Sequence, residues 1–409
     1  MKSIRDIYKI GTGPSSSHTM GPEAAARLFK EEHPEADSFG AILYGSLSKT
    51  GEGHGTDRAI IKTFHPISCK VTFSKEDPKD MKHPNTLDLI AFRDGNEVAV
   101  QRFYSIGGGD IRVEGRETNS VDADIYLENS FAEIKQFCQC SYIDIIDYIA
   151  INEDDEIWDY LGLVWETMKN AIKEGLSKEG ILPGGLNIAR KAKKLYTQEL
   201  ETRHPEVIEC QKVCSYAYAT SEQNADNGVI VTAPTCGACG VLPAVLYYLQ
   251  EKKGFSDDKI VNALAVAGIF GELAKKNASV SGAECGCQAE VGVACSMAAA
   301  AAGYLFRYGI EQIEYAAEIA LEHHLGLTCD PICGLVQVPC IERNAVAAMR
   351  ALNSANLAFF LSDTRRISYD MVLKSMYHTG LDMKESYRET SEGGLAKAYS
   401  RRGKRRSDL

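Results

Sequence analysis

The acidic segment NEDDEIWDY (152–160) separates two stretches whose apolar residues repeat with different periods. Ahead of it, short runs rich in branched and aromatic residues are bounded by turn residues, as half-buried strands are. FGAILYGSL (39–47), AIIKTF (59–64) and CKVTFS (69–74) read as strands, and PEAAARLFKEE (22–32) as a helix. TLDLIAFRDGNEVAVQRFYSIGG (86–108) reads as a hairpin turning at Asp94-Gly95-Asn96. SVDADIYLENSFAEIKQFCQCSY (120–142) leads out through another helix. Beyond the acidic segment the strand signal fades. Residues 156–176, 258–278, 291–309, 310–326 and 342–362 carry apolar side chains at helical spacing, several with alanine or glycine on the contact face. The expected fold class is therefore α+β. A mixed α/β domain over 1–137 precedes a mostly helical domain over 138–409, with no internal repeat.

A chain of 409 residues can bury two or three cores of usual size. Its net charge of −11 argues against a nucleic-acid partner. The charge-free run 227–250 reaches the length of a membrane span, but its Gly, Pro and Asn residues break it into loop and core. Residues 291–306 are too short and too alanine-rich for that role. MKSIRDIYKIGTG, at the start, has no apolar core like that of a signal peptide. The expectation is a soluble cytoplasmic protein with no membrane partner.

Thirteen cysteines in such a setting do not make a disulfide framework, because the cytosol keeps thiols reduced. Cys69 and Cys295 read as core residues, and Cys138, Cys140, Cys210 and Cys214 as structural. Cys236, Cys239, Cys285, Cys287, Cys329, Cys333 and Cys340 instead fall in glycine-rich breaks between helices, where ligands and catalytic groups concentrate. APTCGACG (233–240), SGAECGCQAEVG (281–292) and TCDPICGLVQVPC (328–340) carry them. Zinc favours compact, regularly spaced knuckles, which these are not, whereas an iron–sulfur core accepts ligands scattered over several loops. Composition leaves both open, with iron–sulfur ahead.

A second cluster lies near the start. IGTGPSSSHTMGPEAAARLF (10–29) places three serines, His18 and Thr19 ahead of a helix, where hydroxyls cap free N–H groups and the same geometry binds an anion. SKTGEGHGTDRA (48–59) reads as a loop with His54 between glycines, accessible to a ligand and suited to general-base work.

Taken together, GPSSSHTMGP, GEGHGTD, LPGGL, APT-GACG, VSGAE-GCQAEVGVACSMAAA, GLTCDP and VQVPCIERNA resemble the iron–sulfur L-serine dehydratases of bacteria. The resemblance runs in order from about residue 6 to about residue 360. It implies a β domain fused to a helical α domain, with the site between them, and a homodimer. It also implies a [4Fe–4S] cluster on Cys287, Cys329 and Cys340, which leaves Cys333 as incidental packing and Cys236, Cys239 and Cys285 as non-ligands. Three thiolates leave one iron open as a Lewis acid for the hydroxyl or carboxylate of L-serine. By the same resemblance His54 is the catalytic base. Ser15, Ser16, Ser17, His18 and Thr19, with Gly55, Thr56 and Asp57, hold the substrate's carboxylate and amino group. The products are pyruvate and ammonia.

One departure stands out. Some relatives end in a cysteine able to cap the fourth iron, but this chain ends RRSDL, with no cysteine after Cys340. Water or another group takes that position; the tail is expected to leave the site alone, and an effect of its removal would point to the carboxylate of Asp408 or Leu409. Two rival readings compete. A pyridoxal-phosphate eliminase needs a Schiff-base lysine, and SIGGGDIRV (105–113) gives a glycine run without one in a recognisable setting. An amino-acid-sensing regulator with a zinc or redox cysteine site leaves GCQAEVG and VPCIERN unexplained.

Overall fold

The computed structural model describes residues 1–116, 124–199 and 204–407. The first residues of the 120–142 segment and the tail carboxylates of Asp408 and Leu409 lie outside that range. After β1 (Ile10–Thr12), a π-helical turn (Ser16–Met20) runs straight into α1 (Gly21–Glu32). Then follow β2 (Ser38–Leu43), α2 (Gly45–His54), α3 (Thr56–Phe64), β3 (Ser68–Phe73), β4 (Thr86–Arg93), β5 (Asn96–Gly107) and β6 (Asp110–Val113). The last five strands form one sheet in the order β3-β2-β4-β5-β6. Only β2 and β3 are parallel, so the chain has to cross over between them, and α2 and α3 make the crossover.

That topology corrects two expectations. AIIKTF is the body of α3, not a strand: Ile60 and Phe64, one turn apart, are buried against the sheet while Ile61 is exposed. The stretch expected as a loop around His54 is helical on both sides of Gly55, whose φ of 66° ends α2 and begins α3. The hairpin turn falls as expected. Asp94 and Gly95 both take left-handed backbone, at φ 51° and 77°, which suits a tight two-residue connection. Phe29, Phe39, Leu43, Ile60, Phe64, Leu87, Leu89 and Phe103 form the core between sheet and helices, with Phe39 stacked on Phe64 at 4.1 Å. Each such side chain stabilises by about 1.5–3 kcal/mol through burial.

The remainder is helical: α4 (Phe131–Ser141), α5 (Ile145–Asn152), α6 (Glu156–Ser177), α7 (Ala192–Thr197), α8 (Pro205–Ala225), α9 (Val241–Lys253), α10 (Asp257–Asn277), α11 (Gly282–Cys285), α12 (Val293–Leu305), α13 (Ile310–Glu322), α14 (Cys340–Leu361), α15 (Tyr369–Asp382) and α16 (Gly394–Ser407). A short strand, β7 (Val229–Val231), pairs antiparallel with β1. Met1, Ile4, Ile7 and Tyr8 are buried in the helical core too, so the chain starts in this body and crosses to the sheet after β1. At the centre lies α12, whose VACSMAAAAAGYL is buried on every side except at Tyr304. Its alanines let α9, α10, α13 and α14 pack around it. Cys295 belongs to this core, its thiol donating to Ala347 O at 3.2 Å. Among the described residues, no helix is long and apolar enough to cross a membrane.

Candidate functional site

Two histidines from the sheet domain face thiols from the helical body. Ser15 caps the π-turn, its Oγ accepting the His18 N–H at 3.0 Å, and so turns the His18 ring inward. Ser46 fixes that ring's tautomer. Its hydroxyl donates its one hydrogen to Glu389 O at 2.8 Å and therefore accepts from His18 Nε2, 3.0 Å away. His18 Nδ1 is then the acceptor, facing Ser17 Oγ at 3.0 Å. His54 has the opposite tautomer. Its Nδ1 lies 2.9 Å from Thr50 O, which can only accept, so Nδ1 carries the hydrogen and Nε2 presents a lone pair. That Nε2 is buried without a hydrogen-bond partner among the described residues. Burial lowers the His54 pKa to about 4, keeping the ring neutral, and desolvation lowers that of His18 as well. The ring centroids are 4.4 Å apart.

Thr19 and Thr56 tie the two backbones together. Thr19 Oγ1 donates to His54 O at 2.9 Å, and Thr56 Oγ1 donates to His18 O at 2.6 Å. Ser16 is buried, and its side chain makes no internal hydrogen bond among the described residues. Gly55 is the helix junction. Asp57 lies apart from the histidines, partly buried on a cleft of about 540 Å³ between α2–α3 and the loops Pro183–Gly184 and Cys333–Gln337.

On the facing side, Cys287 leads a second π-turn (Gln288–Gly292) into α12, Cys329 precedes Asp330-Pro331, and Cys340 opens α14. Cys287 and Cys329 are buried and Cys340 partly so. The Cys329 thiol and the Arg343 guanidinium both favour thiolate at Cys287, whose pKa falls below the ordinary range. Cys329, the donor of that pair, shifts the other way. Arg343 is held by Thr328 O at 2.6 Å and Asp330 Oδ1 at 3.1 Å. Glu290 accepts from Thr235 Oγ1 at 2.9 Å and, through Oε2, from the Cys329 thiol at 3.7 Å, and burial raises its pKa to about 8. Gly282 leaves room for this pair, since a Cβ there would lie 2.5 Å from Glu290 Oε2 and 3.2 Å from Cys329 Sγ.

The histidines and thiols meet at Glu389. Its Oε1 lies 3.5 Å from His18 Nδ1 and 4.0 Å from His54 Nε2. Desolvation, with the charges of Glu290 and Cys287, raises its pKa well above the carboxylate range. Among the described residues no three His, Cys, Asp or Glu side chains are arranged around a single metal ion. Three sulfur donors from three loops, a cation that favours thiolate, and buried orphan atoms at His54 and Glu389 fit the larger iron–sulfur core.

Residues 57–396 match the family model of the serine dehydratase alpha chain, and residues 3–75 that of the serine dehydratase beta chain. This chain belongs to the serine dehydratase family. Among curated members, L-serine dehydratase 2 of Escherichia coli K12 is 39% identical over 451 residues, covering 97% of this chain and 98% of its own length. L-serine dehydratase of Streptomyces coelicolor is 39% identical over 447 residues, covering 96% and 98%. L-serine dehydratase of Helicobacter pylori 26695 is 38% identical over 449 residues, covering 97% and 98%.

The remaining cysteines divide by setting. Cys236 lies against Met20 Sδ at 3.4 Å, and Cys285 packs so close that a Cβ on Gly380 would fall 2.6 Å from its sulfur. Cys239 is buried too. Cys333 corrects its expectation: its side chain is exposed, not packed, on a left-handed residue at φ 57°. Sequence reasoning missed Ser46, Glu290, Arg343 and Glu389. Arg343 and Glu290 sit inside the IERN and QAEVG motifs already singled out. Glu389 gives no local signal, because it is brought to the site by a backbone bridge between Cys329 and its neighbour Arg388.

Proposed function

We propose that this chain is an L-serine dehydratase, eliminating water from L-serine to give pyruvate and ammonia, with a [4Fe–4S] cluster on Cys287, Cys329 and Cys340. The observation that carries the reading is the lone pair of His54 Nε2, buried without a hydrogen-bond partner among the described residues and linked to the thiols through Glu389, which faces it and is bonded to Cys329. The cluster, when bound, supplies a Lewis-acidic iron that assists departure of the β-hydroxyl. The protein supplies the rest. His54 takes the substrate α-proton at Nε2, and its Nδ1–H bond to Thr50 O keeps that nitrogen the basic one. Burial keeps it unprotonated at neutral pH. Ser16 and its neighbours Ser15, Ser17, His18 and Thr19 form the wall for the carboxylate and amino group. Thr19 and Thr56 serve it by holding the histidine backbones, and Gly55 by ending α2 at His54. Asp57 faces the cleft beside α2 and α3, apart from the two histidines.

All thirteen cysteines are unpaired, which suits the reducing cytoplasm where we place the protein. A homodimer would find apolar surface at the end of α14, where Leu357, Phe359, Phe360 and Leu361 are exposed. The test is anaerobic purification, a count of iron and sulfide per chain, and an assay of pyruvate and ammonia from L-serine. Serine binding without pyruvate would refute the reading and favour a sensor, and a lysine-aldimine absorbance band would favour a pyridoxal enzyme.

A further inference from the structure

Glu389 is held from both domains before its side chain does anything. Cys329 N–H donates to Tyr387 O at 2.8 Å and Glu389 N–H donates to Cys329 O at 2.7 Å, so this segment brackets a cluster cysteine on both sides. Ser46, from α2, donates to Glu389 O at 2.8 Å. The carboxyl group is buried. Its Oε1 faces the two histidines, while its Oε2 has no hydrogen-bond partner among the described residues. Among the described residues no lysine or arginine lies within ion-pair reach of it, and only His18 and His54 do. An orphaned carboxyl oxygen costs about 1–3 kcal/mol or more, so something else has to engage it. Glu290, the other buried carboxyl at the thiols, has both oxygens occupied, by Thr235 and by Cys329.

We propose that Glu389 Oε2, buried and without a partner beside Cys329, is the resting donor to the iron that the three cysteines leave open. Carboxylate oxygen is a competent donor to iron. Whatever binds there in turnover has to displace it, after which the carboxylate remains beside His18 and His54. The exchange breaks one iron–oxygen bond and makes another, with no change of oxidation state.

This inference rests on the proposed function, and one experiment separates the two. Anaerobically purified full-length protein, free of substrate, is counted for iron and sulfide, reduced with dithionite, and examined by 17O ENDOR in labelled water. The parent protein should show no 17O coupling. Glu389→Ala should hold the same iron and show one, because water fills the vacated position. Glu389→Gln, nearly isosteric and a weaker donor, should do the same and decides the matter if the alanine variant fails to fold. A 17O coupling in the parent would overturn the proposal, as would its absence from a Glu389→Gln protein with a full iron count. A parent protein that binds no iron would instead refute the function from which the inference starts.

Discussion

His54 Nε2 is the lone pair left over when every other polar atom on the two histidines is assigned. His18 is bonded at both ring nitrogens, to Ser17 and Ser46, whereas His54 is bonded at one. Only His54 is therefore ready to take a proton. His54→Ala should lower kcat by about 10²- to 10⁴-fold, the usual worth of positioned acid–base catalysis, and leave the cluster absorbance in place. Near-parental turnover would shift the role to His18. The cysteines make a sharper pair of variants. Cys340→Ser should abolish both chromophore and activity, while Cys333→Ser, seven residues earlier and exposed, should keep most of both. The reverse result would overturn the ligand assignment.

At the scale of elements, the site depends on loops that are tied to one another. Asn344, in the first turn of α14, donates to Gly237 O at 2.8 Å and Cys340 O at 2.9 Å, and accepts from Gly240 N at 2.9 Å. It is buried, so Asn344→Ala leaves Gly237 O and Gly240 N of the 233–240 loop without this partner, at a cost of roughly 2–4 kcal/mol. Chemical denaturation should show that loss, and the variant should release its cluster faster than the parent under a chelator. An unchanged midpoint would mean that the loops hold without it. The helices that carry these loops were legible because α6, α10, α12, α13 and α14 repeat apolar residues at helical spacing. Misreadings arose where tertiary demands override local chemistry. AIIKTF has strand-like residues, yet two parallel strands need a crossover, and a helix supplies it. GEGHG has loop-like glycines, yet they serve close approach within and beside a helix. A Cβ on Gly53 would come within 2.9 Å of Cys333 O, and one on Gly51 within 3.0 Å of Thr56 Oγ1. The cysteines and histidines were visible as residue types in unusual company. Glu389 was not, because a bridge between Cys329 and the distant Arg388 brings it in, and no local pattern encodes that pairing.

For the molecule as a whole, the two domains are joined by buried and half-buried charge, and that charge makes stability depend on pH. Lys275 of α10 reaches Asp6 at 2.7 Å and also Asp110 at the β5–β6 turn, tying the hairpin tip to the helical body. Groups remote from the site contribute to that pH dependence. Glu318 of α13 is 1% exposed, with neither carboxyl oxygen hydrogen-bonded among the described residues, and burial, then Glu322, raises its pKa to about 8. Glu272 of α10 is raised to about 8 by burial as well. His324, near the end of α13, goes the other way, lowered to about 4 by burial. The signs follow from proton counts. Between about pH 4.5 and pH 8 the native protein keeps a proton on Glu318 that the unfolded chain has lost, so this contribution falls as pH rises through that window. His324 opposes it below about pH 6.5, where the unfolded chain binds a proton that the native ring refuses. Of these three groups only the glutamates act above about pH 6.5, and their contribution should decline toward pH 8. Glu318→Gln removes the charge while keeping shape. It should match the parent near pH 5 and exceed it near pH 8 by roughly 3–5 kcal/mol at most, the value of a shift of this size. Urea midpoints for both proteins at the two pH values measure it. Parallel curves would show that Glu318 is already ionised in the folded protein, and a cation or a rearranged Arg365 would then have to be its partner.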